Sequence, residues 1–279
     1  MKTWTGWTLV GAAALLTACG GGDTVETDTS GARGSLMANP PLRVTALSAV
    51  QFQERLSESA SGKSLLAVAG APQRGVRVHY IRYGTVGGAG EATDAAGSLM
   101  GPTGDAAGCS GARPVVLYAH GTDANRAYNL ADITDSTRPG AAEGSLLAAM
   151  FAAQGFIVVA PNYAGYDASS LSYHPYLNAD QQSKEMIDAL TAARKALPKV
   201  GGQDSGKLFL SGYSQGGHVA MATHRAMQAA GMPVTASAPM SGPYALSAFG
   251  DAIYYGNVNL GATLFTPMLV TSYQKAYGN

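Results

Sequence analysis

Leu208-Phe209-Leu210-Ser211-Gly212-Tyr213-Ser214-Gln215-Gly216-Gly217 is the stretch that decides how this chain is read. A short apolar run leads into Gly-x-Ser-x-Gly, and residues 215–230 follow with Val219, Met221, Ala222, Ala226 and Met227 at helical spacing. The pentapeptide alone occurs by chance, so its context carries the reading: a strand before, a helix after. A serine at such a junction sits on a tight turn in strained backbone geometry, which projects its hydroxyl outward. Gly212 and Gly216 are small because side chains there would collide with the neighbouring strand and helix. Ser214 is therefore the candidate nucleophile, with Tyr213 completing the turn. The backbone N–H of Gln215, at the positive end of the helix, is a candidate oxyanion donor.

The same alternation extends to both sides. Val115-Val116-Leu117-Tyr118-Ala119 and Phe156-Ile157-Val158-Val159-Ala160 are continuous apolar runs, as strands covered on both faces must be. Residues 234–239 form a further strand pattern. Helical patterns lie between, over 144–154 and over 179–197, where Met186, Leu190, Ala193 and Leu197 recur every three or four residues and Pro198 ends the run. Strands alternating with helices predict an α/β fold: a mostly parallel sheet with helices on both faces and right-handed crossovers. Upstream, residues 76–83 alternate as a half-buried strand and 47–56 suit a short helix. Residues 84–111 are Gly-rich and turn-like, with room for one strand near 97–100. Tyr118-Ala119-His120-Gly121-Thr122 closes the first central strand. The loop there is expected to give the second oxyanion donor, the N–H of Thr122 or of Gly121. His120 reads as a brace of that loop, because a triad histidine follows its serine in this fold.

Four segments resemble the secretory lipase (lipase-A-like) family of α/β-hydrolases: His120-Gly121-Thr122, Ala160-Pro161-Asn162-Tyr163-Ala164-Gly165, His174-Pro175-Tyr176-Leu177 and Gly212-Tyr213-Ser214-Gln215-Gly216-Gly217. The likeness covers roughly residues 76–245. It implies cleavage of carboxylic esters, acylglycerols included, through an acyl-enzyme on Ser214, with no cofactor and no metal. It also implies a helical cap over the acyl pocket. Two other readings stay open on the residues alone: a serine peptidase of the same fold, and a non-catalytic surface protein on a hydrolase scaffold.

The chain departs from the family where the acid and base should stand. Its five histidines are His79, His120, His174, His218 and His224, none beyond the helix that follows Ser214. Asp251 is the only acidic residue after Ser214, and it comes too early in the expected order. Residues 252–277, with Tyr254, Tyr255, Leu260, Leu264, Met268, Leu269 and Tyr273, read as the start of a cap. The expectation is a C-terminally truncated hydrolase, with the last strands and the triad acid and histidine missing. Its domains are then a core over 43–245 and a cap beginning at 246–279.

The first 19 residues read as targeting. Lys2 precedes a short apolar stretch over 7–16, below the roughly 20 residues of a membrane span, and Leu16-Thr17-Ala18-Cys19 resembles a bacterial lipobox. Cys19 would then carry lipid; an ordinary secretory signal ending by chance in Cys is the alternative. Gly20 after it suggests outer-membrane retention. Residues 20–42 read as a flexible tether. The partners expected are thus a lipid or small-molecule ester and a membrane. Charged residues are 13%, about half the usual share, and the net charge is +0 with no basic run, so nucleic acid is not expected. Cys109 would be left alone in an oxidising compartment.

Overall fold

The computed structural model describes Met1 and residues 31–104, 111–258 and 260–278. Cys19, the apolar stretch before it and Cys109 lie outside the described residues. Among the described residues the sheet has seven strands: β1 (Leu42–Leu47), β2 (Gly75–Val86), β3 (Ala92–Thr103), β4 (Arg113–Ala119), β5 (Ile157–Pro161), β6 (Asp204–Tyr213) and β7 (Ala236–Met240), in the order β1-β2-β3-β5-β4-β6-β7. The helices are α1 (Ala49–Ser57), α2 (Ala60–Ala69), α3 (Ala141–Met150), α4 (Ala179–Ala196), α5 (Gln215–Ala229), α6 (Leu246–Tyr254) and α7 (Leu260–Tyr277).

The apolar runs pair in parallel, β5 with β4, β4 with β6 and β6 with β7. β1, β2 and β3 are antiparallel, as is β3 against β5, so the sheet is mixed, with a parallel half that carries the serine turn. The step from β4 to β5 runs one way along the sheet and those from β5 to β6 and β6 to β7 run the other. Right-handed crossovers then put α3 on one face and α4 and α5 on the opposite one. The contacts agree: α2 packs on α3, and α4 on α5. α4 buries Met186, Ala189, Leu190 and Ala193 at helical spacing, each large side chain worth about 1.5–3 kcal/mol of burial. Asn178 caps its start by accepting from Gln181 N–H at 3.1 Å. Pro198 lies in the 3-10 turn that ends it.

Three expectations need correcting. The Gly-rich segment after residue 84 is mostly strand: β3 pairs with β2 along its whole length, Gly75 opposite Thr103 and Val86 opposite Ala92. Small residues serve it because β5 approaches closely; a Cβ on Gly97 would lie 2.7 Å from the carbonyl of Ala160. The segment expected as a tether does not run free from residue 31. Leu36 is buried, Gly34 N–H donates to Gly84 O at 2.9 Å, and Arg33 pairs with Asp188 at 3.0 Å. Its last residue, Leu42, already pairs with Tyr80 in β1. The helix expected over 47–56 begins later, because Ser48 caps α1 in a reciprocal box with Gln51; α2 was not foreseen.

Among the described residues no helix is long and apolar enough to cross a membrane.

Candidate active site

The last residues of β6 rise between β4 and β7 and turn at once into α5. Ser214, between them, has φ 57° and ψ −121°, a conformation costing an L-residue about 1–3 kcal/mol unless its surroundings impose it. The surroundings do. Ser214 N–H donates to Met240 O at 3.0 Å, and Ser214 O accepts from Gly217 N–H at 2.9 Å. A Cβ on Gly216 would lie 1.9 Å from Ala119 O, and one on Gly212 would lie 2.3 Å from Gly216 O. β4, β6 and α5 meet here too closely for any side chain.

Gly121 borders the serine: a Cβ built on it would be 3.8 Å from Ser214 Cβ and 3.5 Å from Tyr213 O. Thr122 follows, its hydroxyl 2.9 Å from that of Tyr176. Gln215 is the first residue of α5, where backbone N–H groups have no acceptor within the helix. The turn, Gly121 and the helix start thus lie together, and Tyr213 stands exposed beside them.

His120 is completely buried. Its ring stacks between Tyr128, at 4.5 Å, and Tyr163, at 4.1 Å, and its nitrogens face Gly121 O at 2.7 Å and Asn162 O at 3.1 Å. Burial pushes its pKa down. It braces the β4 loop, as expected. Tyr163 closes the brace by donating to His120 O at 3.0 Å.

His174 faces Ala164 O through Nδ1 at 2.9 Å and the side-chain nitrogen of Gln215 through Nε2 at 2.6 Å. A carbonyl only accepts, so Nδ1 carries the proton; burial lowers the pKa to about 3 and keeps the ring neutral. Nε2 therefore accepts from Gln215 Nε2. Glu185, buried on α4, receives hydrogen bonds from Gln181 Nε2 and from Tyr83, and burial raises its pKa to about 8.

His218 is buried on α5 and burial lowers its pKa, while His224 Nδ1 meets Ser237 Oγ at 2.9 Å. His79, buried with Arg77 and Arg43 nearby, is lowered to about 4 by burial and by those charges. Asp251 is exposed on α6. Among the described residues, none of these groups hydrogen-bonds Ser214 Oγ, and no group of three or more His, Cys, Asp or Glu side chains is placed to hold a metal ion.

A cleft of about 390 Å³ opens next to this cluster. Asp123, Tyr166 and His174 form one wall, and Leu264, Pro267 and Met268 of α7 the other. α7 is tied to the core where Tyr273 OH donates to Leu177 O at 3.4 Å and Phe265 approaches Tyr176.

Sequence reasoning passed over His174 and Glu185. The signal for Glu185 was its place in the apolar period of α4, one residue before Met186 and four before Ala189, where a carboxylate has to be buried. His174 was noted only as part of a family segment, because its partners come from distant parts of the chain.

The structure is similar to that of the rice cell wall degrading esterase LipA from Xanthomonas oryzae, with 34% identity and a TM-score of 0.73, over 89% of this chain and 61% of that one. The chain thus spans less than two thirds of that esterase's length. It also shares its fold with Candida antarctica lipase A, with a TM-score of 0.58 and 14% identity over 90% of this chain and 52% of that one. Residues 144–239 match the model of the prolyl oligopeptidase family. No curated protein matches the chain. Sheet order, serine turn and these likenesses agree on one architecture: the chain has the α/β-hydrolase fold and is similar to esterases and lipases built on it.

Proposed function

We propose that the protein is a serine hydrolase that cleaves carboxylic esters through an acyl-enzyme on Ser214. The observation that carries the reading is the serine's position: φ 57° at the head of α5, with Gly121 against it. Ser214 Oγ attacks the acyl carbonyl, and its proton passes to a base. The oxyanion is held by the backbone N–H of Gln215 and that of Thr122 or Gly121. The tetrahedral adduct collapses, the alcohol leaves with the proton, and water then releases the acid by the same steps. The reading requires a histidine base and an orienting acid from outside the described residues.

The substrate is a lipid or small-molecule ester whose acyl or alcohol part occupies the cleft beneath α7, with α6 and α7 serving as cap. The similar esterase is described as degrading rice cell wall, which favours an ester over an amide. A lipid on Cys19 would hold the enzyme at the bacterial envelope. A peptidase is the second reading, because residues 144–239 match the prolyl oligopeptidase model.

The test is hydrolysis of short-chain aryl esters and matched anilides by the full-length protein. Ester cleavage that disappears in Ser214→Ala is the expected result. Equal rates in the Ser214→Ala protein would sink the proposal, and preference for the anilide would favour the peptidase.

A further inference from the structure

β7 and β4 clamp Ser214 and Gly216, but α5 itself adds little to hold Gln215 between them. Its N-cap, Ser214, makes no side-chain capping bond, its first turn has no acidic residue, and two glycines follow Gln215. Glycine lowers the cost of leaving the helical conformation. Yet on the reading proposed above this turn must present the Gln215 N–H at a fixed point. Near Ser214, Gln215 is the residue whose side chain reaches out of α5 to an anchor: it is buried, and its Nε2 lies 2.6 Å from His174 Nε2.

We infer that His174 is a positioning residue for the oxyanion donor, acting through the Gln215 side chain. The link does not stop at the imidazole. Nδ1–H donates to Ala164 O, and Ala164, just past the end of β5, is fully buried. The rings of Tyr163, Tyr166 and Tyr176 surround the imidazole at 5.4, 4.7 and 6.1 Å, which hinders a ring flip. A line of contacts therefore runs from the loop after β5 through His174 to the first residue of α5. The polarity is fixed: a carbonyl at one end makes the ring present a lone pair at the other, so the amide of Gln215 has one orientation available.

The inference rests on Ser214 being the nucleophile, and the experiment separates the two. His174→Phe, Gln215→Ala and the double variant are made in the full-length protein, with Ser214→Ala beside them, and aryl ester kinetics are measured. Removing an oxyanion donor outright costs about 10²–10³ in kcat, so misplacing one is expected to cost about tenfold or more. KM should stay within about twofold, because a donor used in the transition state does not hold the ground state. The double variant should be no worse than the poorer single, the mark of one shared device. If His174→Phe does not fold, Gln215→Ala reads the same loss. Parental kcat in the single variants, a rise in KM alone, or losses that multiply in the double would overturn the positioning role while an inactive Ser214→Ala left the hydrolase reading standing. Parental activity in Ser214→Ala would overturn both.

Discussion

The amide of Ser214 is bonded to the carbonyl of Met240, 3.0 Å away across the β6–β7 pair. The serine turn is thus held from two sides: β7 takes its N–H, and Ala119 at the end of β4 leaves no room above Gly216. Neither hold concerns the hydroxyl, so the strained backbone is a property of the frame and persists when the side chain is changed.

Ser214→Gly should accordingly be more stable than the parent. A positive φ without a Cβ relieves strain of about 1–3 kcal/mol, less the entropy that glycine loses on folding. A net gain of about 1 kcal/mol, or roughly 2 °C or more in Tm for a domain of this size, is expected, together with loss of fluorophosphonate labelling. Calorimetry checks the first and mass spectrometry the second; an unchanged or lower Tm contradicts the idea that the turn stores strain.

Gly216→Ala should do the opposite. Its methyl would fall 1.9 Å from Ala119 O, and the obstacle is backbone in the middle of the sheet. The expected cost is about 3 kcal/mol or more, seen as a fall in the urea midpoint or as insoluble protein. Near-parental stability would mean that β4 and α5 are free to part.

Glu185 and His174 shape stability against pH in opposite directions. Glu185 has its pKa raised to about 8, so the folded state keeps a proton that the unfolded chain has lost; that contribution is present below the ordinary carboxylate range and disappears as pH rises through about 8. His174 is depressed to about 3, so its contribution is present above the ordinary histidine range and disappears as pH falls toward 3. Between the two ordinary values the effects oppose each other, giving a plateau with a falling arm on either side. Glu185→Gln should flatten the alkaline arm, whose slope from this single group is at most about 1.4 kcal/mol per pH unit. Urea titrations from pH 4 to 9 test it, and an unaltered alkaline arm in the variant would refute the assignment.

Leu36→Ala tests the docking of the segment before β1. Leu36 is 4% exposed, and cutting it back should cost about 2–4 kcal/mol. A free tether would register nothing. Equilibrium unfolding distinguishes the two outcomes.

The parallel half of the sheet was legible because buried strands leave continuous apolar runs, and α4 and α5 because Met186, Leu190, Val219 and Met227 keep helical spacing. β3 was legible only near 97–100, since Gly97 is small where β5 approaches and its neighbours Ala95, Ala96 and Ser98 are small too, so the rest resembles a turn. The serine turn could be read locally, because its sterics involve successive residues of one segment. The contact from His174 to Gln215 could not, being made between residues 41 apart. What the sequence did offer was the set of four family segments, and the structure joins them by side chains: His120 stacks on Tyr163, Thr122 meets Tyr176, and His174 meets Gln215. They are one cluster spread along the chain.

Tyr128, His120, Tyr163 and His174 form a nearly continuous pile of rings beside the serine turn, while both tryptophans, Trp4 and Trp7, precede residue 31. Ultraviolet emission from residues 31–278 is therefore phenolic, and part of it comes from tyrosines hydrogen-bonded to the carboxylate of Glu143. That gives the fold an unusually dark optical background. An indole introduced at Leu264, on the α7 wall of the cleft, would be the one tryptophan among the described residues. With Trp4 and Trp7 replaced by phenylalanine, its emission maximum would then report directly whether that wall faces water or substrate.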